Sequence, residues 1–163
     1  MKACSNRRQA AFSLVELVVV IVIIGIIAAM AIPRLSRGTA GAGDSALAGD
    51  LAIVRNAIQL YAAEHHGDFP TQAKFVEQLT MYTSAGGAEN ASRTTTYPYG
   101  PYLLAIPNCP VGNQTDPDAV AFDTTSPPSV LADTGGWIYN PNTGEFLANS
   151  NATDQLGKAY NTY

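Results

Sequence analysis

Charge is what this sequence has least of. Only 13% of its 163 residues are Asp, Glu, Lys or Arg, against about a quarter in a typical soluble domain. Nine basic residues face thirteen acidic ones, so nothing points to a nucleic-acid footprint, which needs a basic patch or stripe. Histidine is scarce too, and both copies are adjacent, at His65 and His66. Neighbouring helix positions point in different directions, so they make a poor metal pair. A favourable interaction with a helix C-terminal dipole accounts for them. The two cysteines, Cys4 and Cys109, are too few for a zinc site. There is no phosphate loop, no Ser/His/Asp spacing and no pair of carboxylates in a recognisable cleft. Nothing recruits residues to catalysis, and the reading is that the chain is not an enzyme.

What the sequence does have is a long apolar run. From Phe12 to Ile32 only Ser13 and Glu16 are polar. As a helix this run is roughly 31 Å long, about the thickness of a bilayer core. A short stretch, Met1 to Ala11, precedes it and carries Lys2, Arg7 and Arg8 without an acid. By the positive-inside rule that end stays cytoplasmic and the rest is exported. An ordinary secretory signal has a shorter apolar core and a small-residue cleavage site after it. Here apolar residues continue to Ile32, and the better small-residue boundary is Ala10-Ala11, before the run. Cleavage there removes the basic stretch and Cys4 but keeps the helix. All thirteen acidic residues remain, so the exported part is distinctly acidic. Cys109 is then left without an intramolecular partner and reads as an unpaired, partly buried thiol, with a reactive or intermolecular thiol as the competing reading.

Glu16 is the odd residue of the run, because a carboxylate in a membrane segment is costly and usually faces a partner. An interfacial glutamate reaching toward headgroups is the plain reading. A cut after Ala11, however, creates an α-amino group on Phe12, four positions before Glu16. An amine and a carboxylate about 4 Å apart attract by ~4 kcal/mol at an effective dielectric near 20. The pair can form within one subunit or between neighbours in a filament.

The segment Ala11-Phe12-Ser13-Leu14-Val15-Glu16-Leu17 resembles the class III prepilin cleavage and methylation motif of type IV pilins and type II secretion pseudopilins. The resemblance implies cleavage before Phe12, N-methylation of Phe12 and a role for Glu16 in assembly. It continues through Val18–Ile32 to Pro33, a helix-kinking proline found at this spacing in many pilins. Ala11 stands where the family usually carries Gly. The implied partners are prepilin peptidase, an inner-membrane assembly platform, minor pilins or pseudopilins, and further copies of the chain in a helical filament. The implied location is the bacterial inner membrane, with the head periplasmic or extracytoplasmic, and then a filament in the periplasm or at the cell surface.

Pro33 lacks a donor and clashes with the preceding turn, so it is expected to bend or locally melt the helix. Gly38, Gly41 and Gly43 follow, each costing ~1 kcal/mol in a helix relative to Ala. Residues 33–43 therefore read as a weakened stretch, either a plain linker or an extensible segment. Helical periodicity resumes at Ser45, with Asp44 or Ser45 as cap. Leu47, Leu51, Val54, Ile58 and Tyr61 form one apolar stripe, expected to pack as core against a sheet. Gly67 and Pro70 mark its end. Tyr61 to Thr71 also resembles the end of the long pilin helix.

Residues 72–82 read as a short helix with Phe75, Val76 and Leu79 on one side. Thr83–Thr96 reads as a surface loop, and Tyr97–Leu104 as an aromatic turn leading into an extended piece. Asn108–Pro128 is loop-like and carries Asp116, Asp118 and Asp123. Those carboxylates are candidate calcium ligands, with ordinary solvated loop acids as the competing reading. Trp137-Ile-Tyr, then Asn-Pro-Asn-Thr-Gly, then Glu145-Phe-Leu is the clearest hairpin, with Trp137 and Tyr139 on one face. Gly100-Pro-Tyr-Leu with Pro107, and Gly136-Trp-Ile-Tyr-Asn with Thr143-Gly-Glu, resemble the head of G-type major pseudopilins and related short pilins.

The expected organisation is a leader over residues 1–11, an apolar transmembrane or filament-core helix over 12–34, an amphipathic half over 35–66, and a head over 67–163 with its hairpin at 137–147. The expected fold is α+β and pilin-like: a long N-terminal helix, kinked near Pro33, on a small antiparallel sheet with long loops. A major pseudopilin of type II secretion is the leading function. A surface type IV pilin, and a membrane-tethered binding module that never polymerises, stay open beside it.

Overall fold

The computed structural model describes residues 13–112, 115–131 and 135–163, with backbone alone for residues 30–40. The chain divides into two compact units, Met1–Thr39 and Ala40–Tyr163. One helix, α1 (Leu14–Glu64, 51 residues), belongs to both. It is followed by a short 3-10 turn at Gln72–Lys74 and by α2 (Phe75–Thr80). The strands are β1 (Tyr82–Thr83), β2 (Glu89–Asn90), β3 (Val120–Phe122), β4 (Trp137–Tyr139) and β5 (Phe146–Ala148). The fold is α+β, a long N-terminal helix followed by two small sheets, consistent with the pilin-like class.

α1 is helical without interruption from Leu14 through Pro33 and residues 34–43 to Glu64. The stretch 33–43, read as weakened, is helical throughout. One proline and scattered glycines each weaken single steps, while the cooperative ladder continues on both sides. Neither Asp44 nor Ser45 caps a helix start. Ser45 bonds back to the carbonyl of Gly41 at 3.0 Å, and the Asp44 carboxylate accepts the Tyr160 hydroxyl at 2.8 Å. The C-terminal end is a left-handed cap. His66 has φ 59° and Gly67 φ 95°, and the Gly67 amide donates to the Ala62 carbonyl at 2.8 Å. That bond satisfies a carbonyl the ended helix would otherwise leave bare.

Within Ala40–Tyr163 the stripe on α1 is the core. Leu47, Leu51, Val54, Ile58 and Tyr61 are all at most 2% exposed. Burying a Leu-sized side chain is worth about 1.5–3 kcal/mol. Against it pack Phe75 and Leu79 of α2, Trp137 and Tyr139 of β4, and Phe146 and Ala148 of β5. The Phe75 and Tyr139 rings lie 4.3 Å apart, and Trp137 and Phe146 5.1 Å apart. Their polar tips are satisfied: Trp137 Nε1 donates to the Pro107 carbonyl at 2.7 Å, and the Tyr139 hydroxyl to the Pro70 carbonyl at 3.0 Å. The α2 face differs from the expected one. Phe75 and Leu79 are buried, but Val76 is 45% exposed and Gln78 is buried instead. The Gln78 carbonyl oxygen accepts the Thr71 amide, and its amide donates to the Gly87 carbonyl. With both ends of its amide bonded, a glutamine can occupy an inward position.

The hairpin is present as expected, with Trp137 opposite Ala148, Ile138 opposite Leu147 and Tyr139 opposite Phe146. Gly144 makes its turn possible. Its φ is 74°, and a Cβ there would come within 2.5 Å of the Phe69 ring, so only glycine fits. The sheet is not purely antiparallel. β3, inside the expected 108–128 loop, pairs in parallel with β4, Val120 opposite Trp137. Likewise the expected 83–96 loop contains a small antiparallel pair, with Thr83 opposite Glu89.

Candidate functional site

The features that point to function lie on the first part of α1. Ala11 and Phe12, the expected cleavage and methylation positions, lie outside the described residues. Glu16 sits in the first turn of α1, where a carboxylate is favoured by the helix dipole. Pro33 lies within the helix, with its backbone alone described. The large apolar side chains from Leu14 to Ile27 are all exposed, from 43% at Val18 to 78% at Leu14. A monomer rarely leaves so long an apolar surface uncovered in water. Among the described residues, no helix is long and apolar enough to cross a membrane.

In the head, the three aspartates considered for calcium are not brought together as ligands. No three His, Cys, Asp or Glu side chains cluster as a metal site among the described residues. The Asp123 carboxylate is already filled by its own loop. It accepts the Thr125 hydroxyl at 2.5 Å, the Ser129 amide at 2.7 Å and the Thr125 amide at 3.1 Å. Those hydrogen bonds, the Thr125 hydroxyl first, pull its carboxyl down to about 2. Asp116 uses its backbone carbonyl to accept the Ala119 and Gly136 amides, and Asp118 lies beside Val76 and Leu104.

His65 directly follows the last residue of α1 and is buried. Its ring stacks on Tyr61 at 3.8 Å. Nδ1 lies 2.7 Å from the Tyr61 carbonyl oxygen, in the last turn of α1, and Nε2 3.0 Å from that of Ser84. Residue 65 continues the 47–51–54–58–61 stripe by a further four positions, a signal the sequence contained. Cys109 is a free, buried thiol, pushed up by burial and donating to the Val111 carbonyl at 3.3 Å.

Two contacts had no sequence signal. Arg55 Nε donates to the Phe146 carbonyl at 2.9 Å and its Nη2 to the Tyr163 carbonyl at 2.7 Å. With Asp44 holding Tyr160, these bonds tie Phe146, Tyr160 and Tyr163 to α1. The pairs are separated by 91 to 116 positions, so no local pattern reveals them.

Neither a curated protein nor a solved structure matches this chain. Residues 6–32 match the family model of the prokaryotic N-terminal methylation motif, which contains Ala11, Phe12 and Glu16. That match supports a prepilin-type leader and a type IV pilin-like or pseudopilin structural subunit.

Proposed function

We propose that the chain is a subunit of a type IV pilus-like filament and, within that class, the major pseudopilin of a type II secretion system. In this reading prepilin peptidase removes Met1–Ala11 and Phe12 is N-methylated. The subunit waits in the inner membrane, anchored by Phe12–Ile32. Assembly transfers that helix from lipid into the filament core, where neighbouring copies cover it. Van der Waals packing between the neighbouring apolar helices supplies non-directional cohesion. Register needs a directional contact, and the Phe12 amine paired with Glu16 supplies one. Pairing with a neighbouring subunit's Glu16 rewards only the correct axial step.

The observation that carries the filament reading is the methylation motif over residues 6–32 on a helix whose apolar side chains are exposed. The choice of a secretion pseudopilin rests on the likeness of Gly100–Leu103 and Gly136–Glu145 to G-type heads. Glu16→Ala tests the mechanism. It is expected to abolish or sharply reduce sheared filament yield while the head keeps its near-ultraviolet circular dichroism. Wild-type filament yield from the variant would refute the register role of Glu16.

A further inference from the structure

Leu104 and Leu156 are the two most exposed large apolar side chains among the described residues, at 99% and 94%. A lone exposed leucine is ordinary on a protein surface. These two stand in settings that complement each other.

Leu156 is the tip of a turn that holds its own shape. The Asp154 carboxylate accepts the Leu156 and Lys158 amides, both at 2.8 Å. The Asp154 amide donates to the Lys158 carbonyl at 2.9 Å, and its carbonyl accepts the Gly157 amide at 3.1 Å. A turn closed in this way loses little freedom when its tip is bound. Lys158, two residues beyond the tip, has its ammonium 3.9 Å from the centre of the Tyr163 ring. It is in no ion pair among the described residues.

Leu104 borders a cleft of about 240 Å³, lined also by Val76 of α2, by Ile106 and by Asp118. The cleft is smaller than the ~300–1,000 Å³ of small-molecule sites and suits a single side chain. Asp118 is exposed and, like Lys158, in no ion pair among the described residues. The cleft and the turn both belong to Ala40–Tyr163, and they share no residue.

We infer that the cleft receives Leu156 from a second copy of the chain, with that copy's Lys158 paired to Asp118. The apolar tip meets apolar walls, and the cation meets the acid, so size and charge select the same partner. Because turn and cleft are different patches, the contact is heterologous. Each subunit gives its turn to one neighbour and takes the turn of another, which is how an open helical array propagates. One side chain in one cleft is far less than the ~800 Å² per partner of a standard interface, so it does not hold two free subunits together. It acts between copies already gathered through α1. The inference therefore rests on the filament reading and adds a head-to-head contact to it.

The test uses filaments sheared from cells that express the full chain. Leu104→Cys and Leu156→Cys are introduced singly and together, and the filaments are treated with a short bismaleimide. Cys109 stays in place because it is buried. The double variant is expected to give a ladder of covalent oligomers beyond the dimer, and neither single variant is expected to crosslink. Asp118→Lys and Lys158→Glu are each expected to lower filament yield about fivefold, the scale of one exposed ion pair. Combining the two exchanges is expected to restore most of it. Near-ultraviolet circular dichroism of each variant, expected to match the wild type, separates these losses from misfolding. Dimers from a single-cysteine variant would show each leucine meeting its own kind and would overturn the assignment. So would filaments of the double-cysteine variant without a ladder, or a combined charge exchange that restores nothing. Those outcomes leave the filament reading standing, whereas a wild-type chain that forms no filaments overturns both.

Discussion

Leu51→Ala and Ile24→Ala delete side-chain atoms from the same helix, and the structure assigns them opposite consequences. Leu51 is 1% exposed and packed in the head core, whereas Ile24 is 59% exposed. Truncating a buried leucine loses transfer free energy and leaves a cavity, a cost of about 2–5 kcal/mol. For a unit the size of Ala40–Tyr163 this lowers the thermal midpoint by roughly 6–20 °C. Ile24→Ala leaves no cavity in the subunit, and its effect on head stability is within about 0.5 kcal/mol. Its effect belongs to assembly, where the shortened side chain packs less well against neighbouring copies. The assay is thermal unfolding of the full chain in detergent, followed by the near-ultraviolet signal of buried Trp137, with sheared filament yield measured in parallel. Leu51→Ala should lower the midpoint and Ile24→Ala should lower the yield. If Ile24→Ala destabilises the head as much as Leu51→Ala, the separation of a folded core from an assembly surface is wrong.

Asp123 should impose an acid limit on the head. Its carboxyl is depressed to about 2 in the fold, against about 3.9 unfolded. Its contribution is therefore fully present above about pH 4 and lost as pH falls through about 2. Asp123→Asn should be less stable than the wild type at pH 6, with the gap closing toward pH 2. A pH-independent gap would refute that role. Gly49 is a helical glycine whose added Cβ meets nothing within 4 Å. Gly49→Ala should stabilise α1 by about 0.5–1 kcal/mol, read as a higher thermal midpoint, and a lower midpoint would contradict an open helix face.

What could be read in advance followed from local periodicity. The stripe from Leu47 to Tyr61 repeats at the helical period and is buried as that period requires. Trp137-Ile-Tyr and Glu145-Phe-Leu flank turn residues, and they pair. The methylation motif is local and compact, so its residues were readable without a fold. β3 was missed because Val120-Ala-Phe is a strand of three residues, and its parallel partner lies across an intervening connection rather than a tight turn. Gln78 was missed because a polar side chain enters a core only when distant groups, here Thr71 and Gly87, satisfy it. The long helix was expected, and α1 carries it through the weak residues 33–43. Propensity counts the weak steps singly, whereas the helix ladder is cooperative.

The central claim is that the N-terminus is processed to make a filament subunit, and intact-mass spectrometry of the protein from its native membrane tests it directly. The expected mass is that of a chain beginning at Phe12 and carrying one N-methyl group. A chain that retains Met1–Ala11 in cells with active prepilin peptidase would contradict the account.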